Sequence, residues 1–414
     1  MVLAGALALL VPKLWMAATT FGTNDMAHWL HFMNGVRLSG PIGVYGRRFP
    51  GELYNHPPLI GYYLELLNGA AHVGISQTFS LRAVSSVADV VTAVVVFELM
   101  RARRPLGEAT VAGLVVACSP ILLIISGYHG NTDPVFTMFA LLSVYLLVDR
   151  QAPIGAGVAI ALSIGVKIVP IVVVPTLLVY ALRRGRSTTV KFAASSVVVS
   201  LLYWGPAMLE QARNIRRNVL GYTGFNAHTW GVDLLGGPAG RSSWSHWIEG
   251  PGRLLVVALC ALAPALMVWL RPDQAVRGVA LALVGFLALT PTFGTQYLVW
   301  AAAASALLSV RGAAAFNIPG GALLAKTYTR WNGGHIPWKV AHASRFTPNE
   351  QRAGVIVWVV LLITMAVGVK RMLSRHPSAT ASVATAGSEA IGSRTTGSET
   401  SSSPPPTTDS ASTR

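Results

Sequence analysis

Charge is what this sequence has least of. Only 12% of its 414 residues are charged, against 52% that are hydrophobic, where soluble domains carry about 25% charged residues. A chain of this length cannot clothe a globular surface with so few ionic groups, so lipid must cover part of it. Cysteine is nearly absent: Cys118 and Cys260 each stand alone in an apolar run. That excludes a disulfide framework and cysteine-based metal spacing, and leaves both as packing residues. Acidic residues are scarce too, 16 against 32 basic, for a net charge of +16.

A pI near 10.4 would suggest nucleic acid in a soluble protein. The distribution argues otherwise, because the basic residues fall in short clusters between apolar runs. These are Arg101, Arg103 and Arg104; Arg183, Arg184, Arg186 and Lys191; Arg271 and Arg277; and Lys370, Arg371 and Arg375. Such clusters mark cytoplasmic loops of a polytopic membrane protein, and no nucleic-acid partner is expected. A spanning helix needs about 20 mostly apolar residues to satisfy its backbone across the hydrocarbon. The first run, 1–20, reads as a span, since it lacks a basic leader region, a cleavage signal and an unbroken apolar core, Lys13 interrupting it. Further helices are predicted near 80–100, 106–125, 133–149, 152–165, 168–182, 189–206, 252–270, 276–291, 293–310, 312–326 and 353–370. The expected fold is therefore all-α and polytopic, with about 10–12 spans in a membrane domain over 1–375. Residues 376–414, rich in Ser, Thr and Pro, are expected to form a disordered tail.

With the basic clusters in the cytoplasm, the stretch 21–78, the turn at 126–133, the turn at Lys167 and the loop 207–251 all face outward. The stretch 21–78 is too polar for a span and too aromatic for a solvated loop, which suits amphipathic helices in the interfacial plane. The protein is expected in the plasma or inner membrane, with its chemistry on the extracytoplasmic side.

Those outward segments hold the unusual polar residues. TNDMAHWLHF carries Asp25, with His28 and His31 one turn apart; Asn24 or Asp25 would equally suit a helix N-cap. The box YNHPPLIGYY carries Tyr54 and His56, and also reads as a turn with an aromatic anchor. SGYHGNTDP places His129, Asn131 and Asp133 between two spans, where Asp133-Pro134 also makes a good helix start. Lys167 lies in an apolar run where a charge is costly and points to function, with a snorkelling lysine as the plainer alternative. Less specific are His228 and Trp230 in NAHTWGVD, and Gln296 and Tyr297 in FGTQYLVW.

Taken in order, NDMAHW, YNHPPL, LRAVSSVADVV, HGNTD, GVKIVP, YTGFNAHTWGV and TQYLVW resemble the GT-C glycosyltransferases. Within that superfamily they are similar to bacterial polyprenol-phosphate-mannose-dependent mannosyltransferases and the mannosyl- and glucosyltransferases of dolichol-linked glycan assembly. The likeness covers about 20–300; 312–375 adds little to it. It implies an inverting membrane enzyme that moves a hexose, by expectation mannose, from a polyprenyl-phosphate donor to a glycolipid or glycan acceptor. It implies Asp25 as general base, a role that desolvation would favour by raising its pKa. Lys167 would hold the donor phosphate, with Tyr54, His56, His129, Asn131, Asp133, His228, Trp230, Gln296 and Tyr297 lining the site. Many relatives show an acidic pair where this chain has Asn24-Asp25, which leaves a divalent metal an open question; no metal ligands are assigned. The alternative from another class is a secondary transporter or flippase for a lipid-linked or small anionic substrate. Against it, no internal repeat is visible, and the polar groups gather on one side.

Overall fold

The computed structural model describes residues 1–49, 51–222, 224, 230, 247 and 250–374. Met1–Met372 form one compact unit, almost entirely helical among the described residues. The helices are α1 Val2–Thr19, α2 Asn24–Gly43, α3 Pro58–His72, α4 Gln77–Arg101, α5 Leu106–Ala117, α6 Pro120–Ile124, α7 Asp133–Val148, α8 Pro153–Val166, α9 Val174–Arg184 and α10 Arg186–Ile215. After the partly described 207–251 segment come α11 Gly252–Leu270, α12 Ala275–Leu289, α13 Val299–Ala302, α14 Ala304–Leu308, α15 Val310–Trp331 and α16 Pro348–Leu373. The tail from 376, and His228, lie outside the described residues.

Seven helical stretches are long and apolar enough to cross a membrane, and three shorter apolar ones accompany them. The runs at 168–182 and 312–326, counted as spans from sequence, fall short of that standard. The first divides into a 3-10 turn, Val169–Val173, and α9. The second lies in α15, which carries Arg311, Lys326 and Arg330.

Direction along these helices sorts the two ends. α4 runs toward Arg101, α7 toward Asp149, α9 toward Arg184, α11 toward Arg271 and α16 toward Lys370 and Arg371. Ion pairs and hydrogen bonds knit that basic end together: Arg103 with Asp149, Arg184 with Gln151, Arg271 with Met372 O, and Arg371 with Leu308 O. The starts of α4, α7, α11 and α16 and the ends of α1, α8 and α12 therefore share the opposite end, where the polar motifs collect.

The stretch 21–78 is helical, as its composition suggests. α2 buries Met26, Trp29, Phe32, Met33 and Val36, a stripe at helical spacing, and breaks at Gly40 (φ 78°) before Pro41. α3 starts on Pro58 at a position that needs no N–H and packs on α2. A Cβ at Gly61 would stand 2.1 Å from Pro41 O, so only glycine permits that approach. Two residues before α2, Gly22–Thr23 (β1), pair in parallel with Val340–Ala341 (β2). The stretch after α15 thus closes back on the start of α2.

Candidate active site

Asp25 sits in the first turn of α2, but its carboxylate does not cap the helix. The N-cap is Thr23, with no side-chain cap bond, and Asp25 Oδ2 lies 2.9 Å from His129 Nε2. His129 comes from a single π turn, Ile125–His129, that ends α6; the extra residue of such turns recurs at functional sites. Its other nitrogen, Nδ1, lies 2.5 Å from the Tyr328 hydroxyl, and that hydroxyl donates to Thr295 Oγ1 at 2.9 Å. A hydrogen-bonded chain therefore runs Asp25–His129–Tyr328–Thr295. His129 and Tyr328 are buried, whereas the Asp25 side chain keeps 28% exposure, so the chain's carboxylate end is the one that can meet a substrate.

That end opens on a cavity of about 850 Å³. Asp25, His28, Trp29, Glu52, His56, His129, Asn131, Lys167, Gln296, Tyr297 and Trp300 line its polar part. Ile168, Ile171, Val172, Leu254, Val257 and Phe286 form an apolar wall, with Arg253 beside it. A cavity lined by both polar and apolar side chains fits an amphiphile better than a free sugar.

Lys167 is placed as the sequence suggests, in extended backbone between α8 and the 3-10 turn. It is not a lone cation, however. Its Nζ lies 2.6 Å from Asp133 Oδ1, and Trp300 Nε1 donates to Asp133 Oδ2 at 2.7 Å. The rings of Tyr297, Trp300 and Phe136 flank the ammonium at 4.9, 5.3 and 5.9 Å. Asp133 opens α7 with Pro134, as read from sequence, yet its fully buried side chain serves Lys167 instead of the helix end. The N-cap, Thr132, makes no side-chain cap bond, and Asn131 Oδ1 accepts from the Asp133 N–H at 3.0 Å.

Burial alone would raise the Asp25 pKa; the opposing pull of His129, His28 and Lys167 outweighs it and lowers the value. This reverses the expectation of a raised pKa: the carboxylate is held ionised. Burial, helped by the Lys167 charge, pushes His56 down to about 3. A neutral His56 ring stacks on Trp29 at 4.3 Å. Glu52 Oε1 lies 2.9 Å from His31 Nδ1 and 3.5 Å from His28 Nε2, tying the loop before α3 to α2.

Of the sequence-derived candidates, the cavity gathers Asp25, His56, His129, Asn131, Lys167, Gln296 and Tyr297. Tyr54 is buried behind two lining residues, in edge contact with Phe32 and His56. Trp230 is stacked on a third, Phe293, at 4.6 Å and donates to Leu287 O. Both pack against the lining without being part of it. Tyr328 and Thr295 were not singled out from sequence, and 312–375 contributes more than its motifs indicated, since Tyr328 closes the hydrogen-bonded chain. The polar, aromatic KTYTRW at the end of α15 was the available signal. Among the described residues no three or more His, Cys, Asp or Glu side chains are placed to hold a metal ion.

Residues 55–208 match the family described as Dolichyl-phosphate-mannose-protein mannosyltransferase. The chain is 30% identical over 96 residues to GPI mannosyltransferase 1 of Candida albicans, covering 23% of this chain and 24% of that protein. It is 23% identical over 139 residues to GPI mannosyltransferase 1 of Debaryomyces hansenii, covering 32% and 33%. The chain thus spans about a quarter and a third of the length of these curated relatives. The family match takes in His56, His129, Asn131, Asp133 and Lys167 but ends before Tyr328 and begins after Asp25. These likenesses agree with the resemblance carried by the order of motifs: over these residues the chain is similar to mannosyltransferases.

Proposed function

We propose that the protein is a membrane mannosyltransferase that takes its sugar from a polyprenyl-phosphate carrier and gives it to a glycolipid or glycan hydroxyl at the outer membrane face. The observation that carries this reading is the opening of an ionised Asp25, backed by His129 and Tyr328, onto a cavity with an apolar wall. Ile168, Ile171, Leu254 and Val257 would take the carrier's chain, and Arg253 and Lys167, which line the same cavity, would take its phosphate. Lys167 brings N–H donors but no net charge, because Asp133 offsets it; Arg253 supplies the compensating cation. The wall and the polar end lie opposite the basic clusters, which supports an extracytoplasmic reaction.

The chemistry is one in-line displacement. The acceptor oxygen bonds to the anomeric carbon, the bond from that carbon to the phosphate oxygen breaks, and polyprenyl phosphate departs with the electron pair. Asp25 takes the acceptor proton, and His129 orients its carboxylate. Inversion at the anomeric carbon follows from a single displacement, and one base suffices, unlike the carboxylate pairs of retaining glycosidases. Stabilisation of charge building on the phosphate falls to Arg253 and Lys167.

The test is reconstitution of the full chain in vesicles with synthetic polyprenyl-phosphate-mannose and a short mannoside acceptor. Mannose recovered in the acceptor supports the enzyme. Movement of the intact carrier lipid across the bilayer without any transfer would instead establish the transporter.

A further inference from the structure

The motif LRAVSSVADVV carries polar groups that the cavity does not use. Arg82, Ser85 and Asp89 lie at i, i+3 and i+7 of α4, one stripe of the helix, and all three are buried. Among the described residues no carboxylate faces the Arg82 guanidinium. It donates from Nε to Thr78 O at 2.9 Å and from Nη2 to Ala17 O and Thr20 O at 2.9 and 2.8 Å. Nη1 reaches Thr20 Oγ1 at 2.9 Å and Tyr128 O at 3.4 Å. Farther along the stripe Ser85 donates to Asn131 O at 2.6 Å, and Asp89 pairs with Lys13 at 2.6 Å.

Burying such a cation is a poor route to stability, since apolar replacements of buried ionic groups are often neutral or better. Its planar, five-donor fork is well suited to fixing where several carbonyls lie. Apart from Thr78 O on its own helix, those carbonyls belong to the two backbones that carry the site. Thr20 ends α1 and leads through β1 into Asp25, while Tyr128 immediately precedes His129. The two strips also touch. A Cβ at Gly22 (φ 100°) would stand 2.6 Å from Tyr128 O, and Thr23 Oγ1 donates to His129 O at 3.1 Å. The junction has no slack, so a displaced Arg82 displaces Asp25 relative to His129.

We infer that Arg82 is a positioning residue, outside the cavity, whose fork sets the separation of Asp25 from His129. The inference rests on the proposed role of that pair, but its first readout needs no turnover. In full-length protein labelled with 15N-histidine in detergent, the His129 Nε2–H bonded to Asp25 gives a downfield proton resonance, identified by its upfield shift in Asp25→Asn. Arg82→Lys keeps the charge and loses the fork. It is expected to lose that resonance or shift it upfield while remaining monodisperse. A misplacement near 1 Å costs ~10²-fold in rate, so kcat should fall about that much with donor KM within roughly 3-fold. Should Arg82→Lys fail to fold, Thr20→Val removes one acceptor of the fork. It should move the resonance the same way and lower kcat by about 10-fold. Folded Arg82→Lys or Thr20→Val protein with the wild-type resonance would overturn the inference. Absence of transfer by the wild type would count against the enzymatic reading and leave this test standing.

Discussion

Replacing either member of the Lys167–Asp133 pair should destabilise the protein, and unequally. Asp133 is fully buried, with two bonds, from Lys167 at 2.6 Å and Trp300 at 2.7 Å. Lys167→Met leaves a buried carboxylate with the indole alone. Removing one partner of a buried pair costs about 3–5 kcal/mol, and this case belongs in the middle of that range, ~4 kcal/mol. Asp133→Asn leaves an ammonium that is 23% exposed and flanked by three aromatic rings, which recover part of the loss; ~2 kcal/mol is expected. The double variant Lys167→Met, Asp133→Asn buries no charge there and should cost less than the two singles together, by about 2–3 kcal/mol. Melting in detergent, at ~1 °C per kcal/mol for a chain of this size, resolves the order. If Lys167→Met melts like the wild type, Lys167 serves substrate alone and the pair has no structural part. Equal single effects that simply add would refute the reasoning as well.

Two further variants concern His56 and Tyr328. His56 is held near about 3, whereas an unfolded histidine titrates near ~6.5. Between those values the unfolded chain binds a proton that the folded chain refuses, so stability falls as pH drops from about 6.5 towards 3. His56→Asn should flatten the fall in melting temperature between about pH 6.5 and 4.5; an unchanged slope would assign it to other groups. Tyr328→Phe removes the hydroxyl between His129 and Thr295, costs ~1 kcal/mol of stability, and should lower kcat about 10-fold with little change in donor KM. A change confined to KM would place Tyr328 in binding instead.

Much of this architecture was legible because lipid imposes simple rules. Apolar runs of sufficient length became helices, and Pro58, Pro134 and Pro153 mark helix starts in the structure. The basic clusters separated the ends, and most polar motifs between them converge on one cavity. What the sequence hid were pairings across long separations. Lys167 looks alone because Asp133 is 34 residues away, and Lys13 because Asp89 is 76 away. Tyr328 is 199 residues from His129, and no local pattern announces a contact made by chain closure. The direction of the Asp25 shift was missed for the same reason: burial is visible in the composition around it, but the largest opposing pull comes from His129, 104 residues away.

The central claim is that Asp25 is the base, and the rate of mannosyl transfer by Asp25→Asn tests it most directly. The side chain keeps its shape and its place beside His129 but cannot take a proton. A positioned general base is worth about 10²–10⁴-fold, so purified Asp25→Asn that melts like the wild type should transfer ~10³-fold more slowly from the same synthetic donor. Transfer within a factor of about three of the wild type, by a folded and monodisperse variant, would contradict the account and move the base elsewhere in the cavity.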